Sequence, residues 1–271
     1  MTTCTSTAPL TTRAPVRRFG QFGALTLALS WLPWIVLGVA GIDIGSGPGQ
    51  IVFAIAAAGP SLAAGLLWLG LPAERIRGSG RPTWYGVLGG LLLGLAAPVL
   101  TALILNAGHP AAIPANAAAV TAGVGGPLGV IGYTLIAGPL AEEFGWRGYV
   151  QPRLRQRFGT ITTTLVLGFG WACWHIPLFF LPGTGQHEIG LFTVGGLAFF
   201  ITVIALSYLI LLATERLRGG VWAAVAAHAT FNAADALLPP HGTTGALLEM
   251  LIMVTLAVLA ALFWRSAVDS G

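Results

Sequence analysis

The 271-residue chain is 55% hydrophobic and only 8% charged, with a mean hydropathy of +0.82 and a formal net charge of +4. This composition predicts a polytopic membrane protein and excludes an ordinary water-soluble globular domain. The basic residues lie between apolar segments rather than on a basic face with interleaved aromatics, so the positive charge does not indicate a nucleic-acid partner.

Apolar windows of about 20 residues, the length that a helix needs to cross a bilayer, predict an all-α bundle of about eight transmembrane helices. The predicted spans are 19–41, 50–71, 85–105, 127–150, 161–181, 191–213, 221–238 and 246–264. They form one predicted transmembrane domain, residues 19–265, with a disordered N-terminal tail at residues 1–18 and a C-terminal tail at residues 266–271.

The distribution of arginine predicts the orientation of the bundle. All 13 basic residues are arginines, and apart from Arg147 they precede the first span, follow the last or lie in every second loop. This pattern places both termini in the cytoplasm and predicts a multi-pass protein of the cell membrane. The opposite loops, which contain no arginine, are 42–49, 106–126, 182–190 and 239–245. The histidines of these loops, His109, His187 and His241, are interpreted as surface residues, and loop 106–126 as a connection on the surface.

Two features of the early spans concern packing. Gly86, Gly90 and Gly94 recur at four-residue spacing in the third span, which lets another helix approach closely. Pro60 and Pro98 lie inside spans two and three, where proline removes a backbone donor and predicts a kink.

The fourth span contains three ionisable residues, Glu142, Glu143 and Arg147, in an otherwise apolar segment. Each charge at membrane depth costs about 2.5 to 3.5 kcal/mol, so these groups need partners and a function. Glu143 and Arg147 are four residues apart with the acid first, which favours an ion pair along the helix. Glu142 points about 100° away and is free to act elsewhere.

Two later spans also carry polar residues at depth. His175 lies in the fifth span, and His228 and Asn232 lie four apart on one face of the seventh. Polar residues on three separate apolar helices accumulate a large insertion cost, which indicates a shared intramembrane site rather than unrelated packing.

These motifs resemble the CPBP family of intramembrane proteases, which includes the type II CAAX prenyl endopeptidases. The family pattern is Glu-Glu-x-x-x-Arg, then Phe-x-x-x-His, then His-x-x-x-Asn on successive spans. The chain has Glu142 to Arg147, Trp171 to His175, and His228 to Asn232 at these positions, and only Trp171 departs from the pattern. The resemblance covers residues 127–238.

The resemblance implies an intramembrane endopeptidase that forms no covalent intermediate, and the side chains are capable of this chemistry. Glu142 can take a proton from water, and His175 can orient that water. His228 and Asn232 can donate hydrogen bonds to the oxyanion that develops on the scissile carbonyl. Arg147, paired with Glu143, would support the site.

A zinc mechanism with Glu142, His175 and His228 as ligands remains an alternative. The metal-free mechanism, with no cofactor, is favoured because the chain has no His-Glu-x-x-His pair and because Asn232 is a poor zinc ligand but a good oxyanion donor. The expected substrate is a membrane-associated or lipid-modified protein or peptide at the bilayer.

Two hypotheses from other classes remain open. A proton-coupled transporter would need polar residues that continue to the external side, and spans two, three and six offer almost none. A non-catalytic immunity or scaffold protein of the same fold would be favoured by the loss of a motif residue, and none is lost.

Overall fold

The computed structural model describes residues 16–45, 47–70, 81–136 and 138–269. Within these ranges the chain is helical and contains no strand. The α-helices are α1 Val16–Val39, α2 Pro48–Ala57, α3 Gly59–Gly70, α4 Trp84–Leu105, α5 Ala112–Gly123, α6 Pro127–Ile136, α7 Pro139–Gly145, α8 Gln151–Arg155, α9 Thr160–Trp174, α10 Gly185–Ile189, α11 Val194–Leu211, α12 Gly220–Leu237 and α13 Thr243–Asp269. Two π-helices, Trp146–Val150 and Leu212–Arg216, and a 3-10 helix, Ile176–Phe180, interrupt this order.

The predicted all-α membrane bundle is confirmed, but the count of eight spans is not. Five helical segments of the described chain are long and apolar enough to cross a membrane, or seven if each of two bent helix pairs is one span. The five segments are Arg18–Val39, Trp84–Leu105, Thr160–Phe180, Val194–Arg216 and Thr243–Trp264. The predicted seventh span forms α12, which is not among them. The cytoplasmic position of the termini stays a prediction.

The bent pairs account for part of the difference in the count. Helices α2 and α3 meet at 48° around Ala58, and the bend follows from Pro60, the second residue of α3, which has no backbone donor. At Gly59, an added Cβ would collide with Ser30, so the missing side chain lets α3 approach α1. The predicted kink at Pro60 is confirmed as a full break between two helices.

The second bent pair adds a helix to the predicted connection at residues 106–126. The segment contains helix α5, none of whose residues is buried. Gly125 and Gly126 then adopt positive φ angles of 83° and 90° before α6 begins at Pro127. The chain from Pro127 to Arg155 lies at 81° to α5. Helix α5 is rich in alanine and has no distinct apolar face. Its sequence therefore does not predict a helix that packs against the bundle.

The glycine motif of the third span is confirmed as a helix contact. A Cβ on Gly90 would collide with the backbone of Ala223, and one on Gly94 would collide with the backbone of Ala227. The small residues therefore hold α4 directly against α12. This contact fixes the helix that carries His228.

Some predictions concern residues outside the described ranges. Most of the N-terminal tail, residues 1–15, and residues 270–271 of the C-terminal tail lie there, as do Arg75 and Arg77 of the first predicted cytoplasmic loop. Helix α1 begins at Val16 and α13 continues to Asp269, so each reaches into a predicted tail. The division into two tails and one transmembrane domain stays a prediction.

Candidate active site

The predicted ion pair between Glu143 and Arg147 is present at the end of α7. Arg147 Nη1 donates to Glu143 Oε1 over 2.9 Å, and neither side chain has any exposed surface. Arg147 also donates from Nη2 to Ser207 Oγ on α11 over 3.3 Å. Its guanidinium carbon lies 4.1 Å from the ring centroid of Trp171 on α9. Arg147 therefore connects three helical elements at the centre of the bundle.

Glu143 has a second partner, His228 on α12. The Nδ1 atom of His228 lies 2.9 Å from Glu143 Oε1, the oxygen that also accepts from Arg147. Because a carboxylate oxygen accepts, the proton of this bond belongs to His228 Nδ1. This bond does not use the Nε2 atom of His228, which is therefore available to contact a substrate or a metal ion. Glu143 thus balances Arg147 and orients His228 at the same time.

Glu142, one residue earlier, faces a different partner, as the helix geometry predicts. Trp171 Nε1 donates to Glu142 Oε2 over 2.6 Å, and the carboxylate is buried. In the CPBP pattern the position of Trp171 is phenylalanine, so the sequence comparison shows only that one aromatic residue replaces another. Its indole N–H is a donor that phenylalanine lacks, and this donor holds one oxygen of Glu142 in place.

His175 lies where α9 passes into the 3-10 helix. Its Nδ1 atom lies 2.8 Å from the backbone oxygen of Trp171, so Nδ1 carries the proton and Nε2 has the lone pair. The ring packs between Trp174 and Phe199, with centroid distances of 4.9 and 5.3 Å. None of the hydrogen bonds in the described chain joins His175 to Glu142 directly. Trp171, which contacts both, links them.

Gly138 marks the point where the predicted catalytic groups converge. A Cβ added to Gly138 would lie 3.2 Å from Asn232 Nδ2, 3.4 Å from Glu142 Oε1 and 3.5 Å from His228 Nε2. The absent side chain therefore leaves a small volume lined by the three groups. Gly138 is not among the residues predicted from the sequence, because it has no polar side chain; the only signal is its place before Pro139 and the charged motif.

The helices around the site pack through small residues. A Cβ on Gly145 would meet the backbone of Pro60, so the glycine of the charged motif lets α7 lie against α3. A Cβ on Gly168 would lie 2.9 Å from Ile204 Cα and 3.1 Å from Ser207 Cβ, which holds α9 against α11. A π-helix follows α7 at Trp146, and such π segments occur frequently at functional sites.

The fold and the site define a class: a helical membrane protein with a centre of two glutamates, two histidines and an arginine, all buried, and a partly buried asparagine. Residues 124–234, which contain all six predicted site residues, match the family model described as type II CAAX prenyl endopeptidase, Rce1-like. The chain is therefore related to the CPBP family, and the resemblance inferred from three motifs is confirmed.

A curated relative supports the same relation. A stretch of 107 residues is 29% identical to CAAX prenyl protease 2 of Methanococcus maripaludis. The alignment covers 39% of this chain and 40% of that protein, so the chain spans less than half the length of the relative.

Proposed function

We propose that the protein is an intramembrane endopeptidase of the cell membrane that hydrolyses a peptide bond in a membrane-associated or lipid-modified protein or peptide. The observation that carries the proposal is the convergence of Glu142, His228 and Asn232 on the volume beside Gly138. The name of the relative, a CAAX prenyl protease, supports a lipid-modified substrate. The helical membrane bundle supports a substrate that reaches the site from the bilayer.

In the proposed reaction Glu142 accepts a proton from water while the water oxygen bonds to the scissile carbonyl carbon. His175 Nε2, which has the lone pair, accepts a hydrogen bond from the same water and orients it. When the tetrahedral intermediate collapses, the carbon–nitrogen bond breaks and Glu142 returns its proton to the leaving amine. The products are a carboxylic acid and an amine, which ionise to a carboxylate and an ammonium group, and no group on the enzyme is consumed.

The oxyanion is stabilised by donors from α12. Asn232 Nδ2 and His228 Nε2 both border the volume beside Gly138, and one such donor is typically worth about 2.7 to 4 kcal/mol of barrier. Since Nδ1 of His228 already carries a proton, donation from Nε2 requires the imidazolium form. Glu143 is the counter-ion for this form. The network then contains two carboxylates, one guanidinium and one imidazolium, and its net charge is zero.

The same histidines also suit a zinc ion. Both rings use Nδ1 for a protein partner and leave Nε2 free, an arrangement that commonly orients metal-binding histidines. Glu142, His175 and His228 would hold the ion, which would supply an acidified water and a Lewis acid. We favour the metal-free form because Asn232 at the same volume is suited to donate to an oxyanion and poorly suited to bind zinc.

The test compares peptide termini in membrane and peptide fractions of cells that produce wild type or Glu142→Gln. The amide preserves shape but cannot accept the proton from water, so termini that depend on wild type should disappear. Glu188→Gln is the matched control because Glu188 is exposed and remote from the motif. Identical sets of termini for wild type and Glu142→Gln would reject the proteolytic function of Glu142.

A further inference from the structure

A second group of carboxylates and histidine lies beyond the proposed active site. Asp235 is near the end of α12, His241 is in the connection to α13, and Glu249 is in the second turn of α13. One donor atom from each lies within 4.8 Å of the other two. These three residues, here called the α12–α13 cluster, take no part in the proposed reaction and lie outside the segment matched by the family model.

The burial of Glu249 is the first observation that needs an explanation. The residue is only 6% exposed, on a helix that is long and apolar enough to cross a membrane. A carboxylate in such a place is costly unless a charge or donor compensates it. Within the described residues its side-chain partner is His241 Nε2, at 3.3 Å. With a neutral imidazole, the α12–α13 cluster carries two uncompensated negative charges.

The ring of His241 is positioned by the backbone of α13. A Cβ added to Gly245 would lie 2.7 Å from His241 Nδ1 and would also collide with the ring carbon beside it. The imidazole can therefore lie flat against the helix only because residue 245 has no side chain. In this position Nε2 faces Glu249, one turn further along α13. Glycine at 245 thus helps to aim the nitrogen donor toward the carboxylates.

The local field at the α12–α13 cluster favours cations. His241 Nε2 lies 3.3 Å from Glu249 Oε2, and a carboxylate oxygen of Asp235 lies within 4.8 Å of both ligand atoms. Two carboxylates that face one imidazole attract a metal ion, and the ion displaces any proton from the ring nitrogen when it binds.

We propose that Asp235, His241 and Glu249 bind a divalent transition metal ion, with zinc as the ion best suited to the ligands. An imidazole nitrogen and two carboxylate oxygens are hard-to-borderline donors that suit zinc, and the fourth position remains open to water. Because Asp235 is exposed, the cluster is open to the outside of the bundle. Two carboxylates with a neutral imidazole match the charge of a divalent cation.

Such an ion would connect the end of α12 to the beginning of α13. Asp235 lies three residues after Asn232 and seven after His228, or about 4.5 and 10 Å along the helix axis. The seven-residue spacing also puts Asp235 and His228 on nearly the same face of α12. A metal at the α12–α13 cluster would therefore fix the end of the helix that carries the proposed oxyanion donors, without itself contacting the reacting atoms.

The experiment measures zinc binding to the purified full-length protein in detergent after removal of bound metal with a chelator. We expect wild type to bind zinc at this cluster, with affinity at least tenfold weaker in Asp235→Asn, His241→Ala and Glu249→Gln. His109→Ala is the matched control, since His109 is exposed in another loop, and should bind as wild type does. Asp235→Asn changes only an exposed residue, so it tests the ligand set even if the buried variant Glu249→Gln does not fold.

Two further variants separate this proposal from zinc binding at the active site. Zinc bound at the α12–α13 cluster should persist in His175→Ala and weaken in Gly245→Ala, which keeps all three ligands but displaces the ring of His241. Loss of all zinc binding in His175→Ala, with full binding in His241→Ala and Asp235→Asn, would overturn the proposal. Absence of zinc binding by the wild type, with only protons bound at His241, would overturn it as well.

Discussion

Two glutamate–histidine pairs, Glu143 with His228 and Glu249 with His241, differ in how their charge is balanced. Glu143 accepts from both Arg147 and His228, and its side chain has no exposed surface. Glu249 accepts from His241 alone among the described residues, and that histidine side chain is 23% exposed. In the first pair one carboxylate oxygen of Glu143 accepts from two cationic side chains, whereas the second pair has another carboxylate, that of Asp235, beside it.

This difference explains why the two pairs suit different tasks. A carboxylate whose partners are all buried and fixed holds His228 in one orientation, as catalysis requires. A carboxylate with a single partner, close to an exposed aspartate, can accept an added cation. Arg147 is thus the cation that balances the first carboxylate, and the second carboxylate has no such partner among the described residues.

Removal of the charge on Glu143 is expected to have the largest effect. Glu143→Gln leaves Arg147 as a buried cation without its counter-ion, and breaking a buried pair in this way costs about 3 to 5 kcal/mol. It also removes the counter-ion of His228, so activity should be lost together with stability. Thermal unfolding in detergent, with activity on the substrate that the termini comparison identifies, tests both effects. Equal melting temperatures for Glu143→Gln and wild type would contradict the pairing.

Glu249→Gln provides the matched comparison for this prediction. Both substitutions exchange a buried glutamate next to a histidine for its amide, but only Glu143 has an arginine partner. In metal-free protein, Glu249→Gln should therefore lower the melting temperature less than Glu143→Gln does. A larger loss for Glu249→Gln would mean that charge balance is not what distinguishes the pairs.

Asn232→Ala tests the mechanism with a smaller effect. In the metal-free mechanism Asn232 acts mainly in the transition state, so kcat should fall about 10²- to 10³-fold with little change in KM. Chelators should leave the activity unchanged. In the zinc mechanism the loss in Asn232→Ala should be milder, and a chelator should inactivate the enzyme until zinc is returned.

The metal content must be measured where the α12–α13 cluster cannot contribute. We therefore propose mass spectrometry on chelator-washed, active His241→Ala protein. Full activity with negligible metal would support activation of water by Glu142 and His175. Stoichiometric zinc that follows activity in this variant would overturn the metal-free mechanism.

The sequence was sufficient for the parts of the site that carry charge. Glu143 and Arg147 are adjacent on one helix, so their pairing follows from four-residue spacing alone, and the structure confirms it. His228 and Asn232 share a helix face for the same reason. The hydrogen bond from His228 to Glu143 joins residues that are 85 positions apart in the chain and lie on different helices. No local sequence pattern predicts it.

Other parts left little or no signal in the sequence. Gly138 contributes by the absence of a side chain, and only its position before Pro139 suggests a special place. Asp235, His241 and Glu249 meet across a helix connection, and their spacings of six and eight residues match no helical period.

The smallest expected effect belongs to Trp171, whose indole N–H holds Glu142. Trp171→Phe introduces the residue of the CPBP pattern and removes this one donor while it keeps an aromatic ring beside Arg147. A hydrogen bond to a charged group is worth about 1.5 kcal/mol at the lower end, and kcat should fall about tenfold if that energy is lost in the transition state. Since the substrate does not contact the indole nitrogen in the proposed mechanism, KM should change little.

Trp174→Phe is the control for Trp171→Phe because it makes the same chemical change on the same helix. Trp174 is equally buried and packs against His175, but its Nε1 atom has no hydrogen-bond partner within the described residues. Both variants lose the same atoms from the core, so a loss of activity caused only by altered packing would be similar in the two. A tenfold loss in Trp171→Phe alone would assign the effect to the bond with Glu142, whereas equal losses would leave Trp171 with a packing role only.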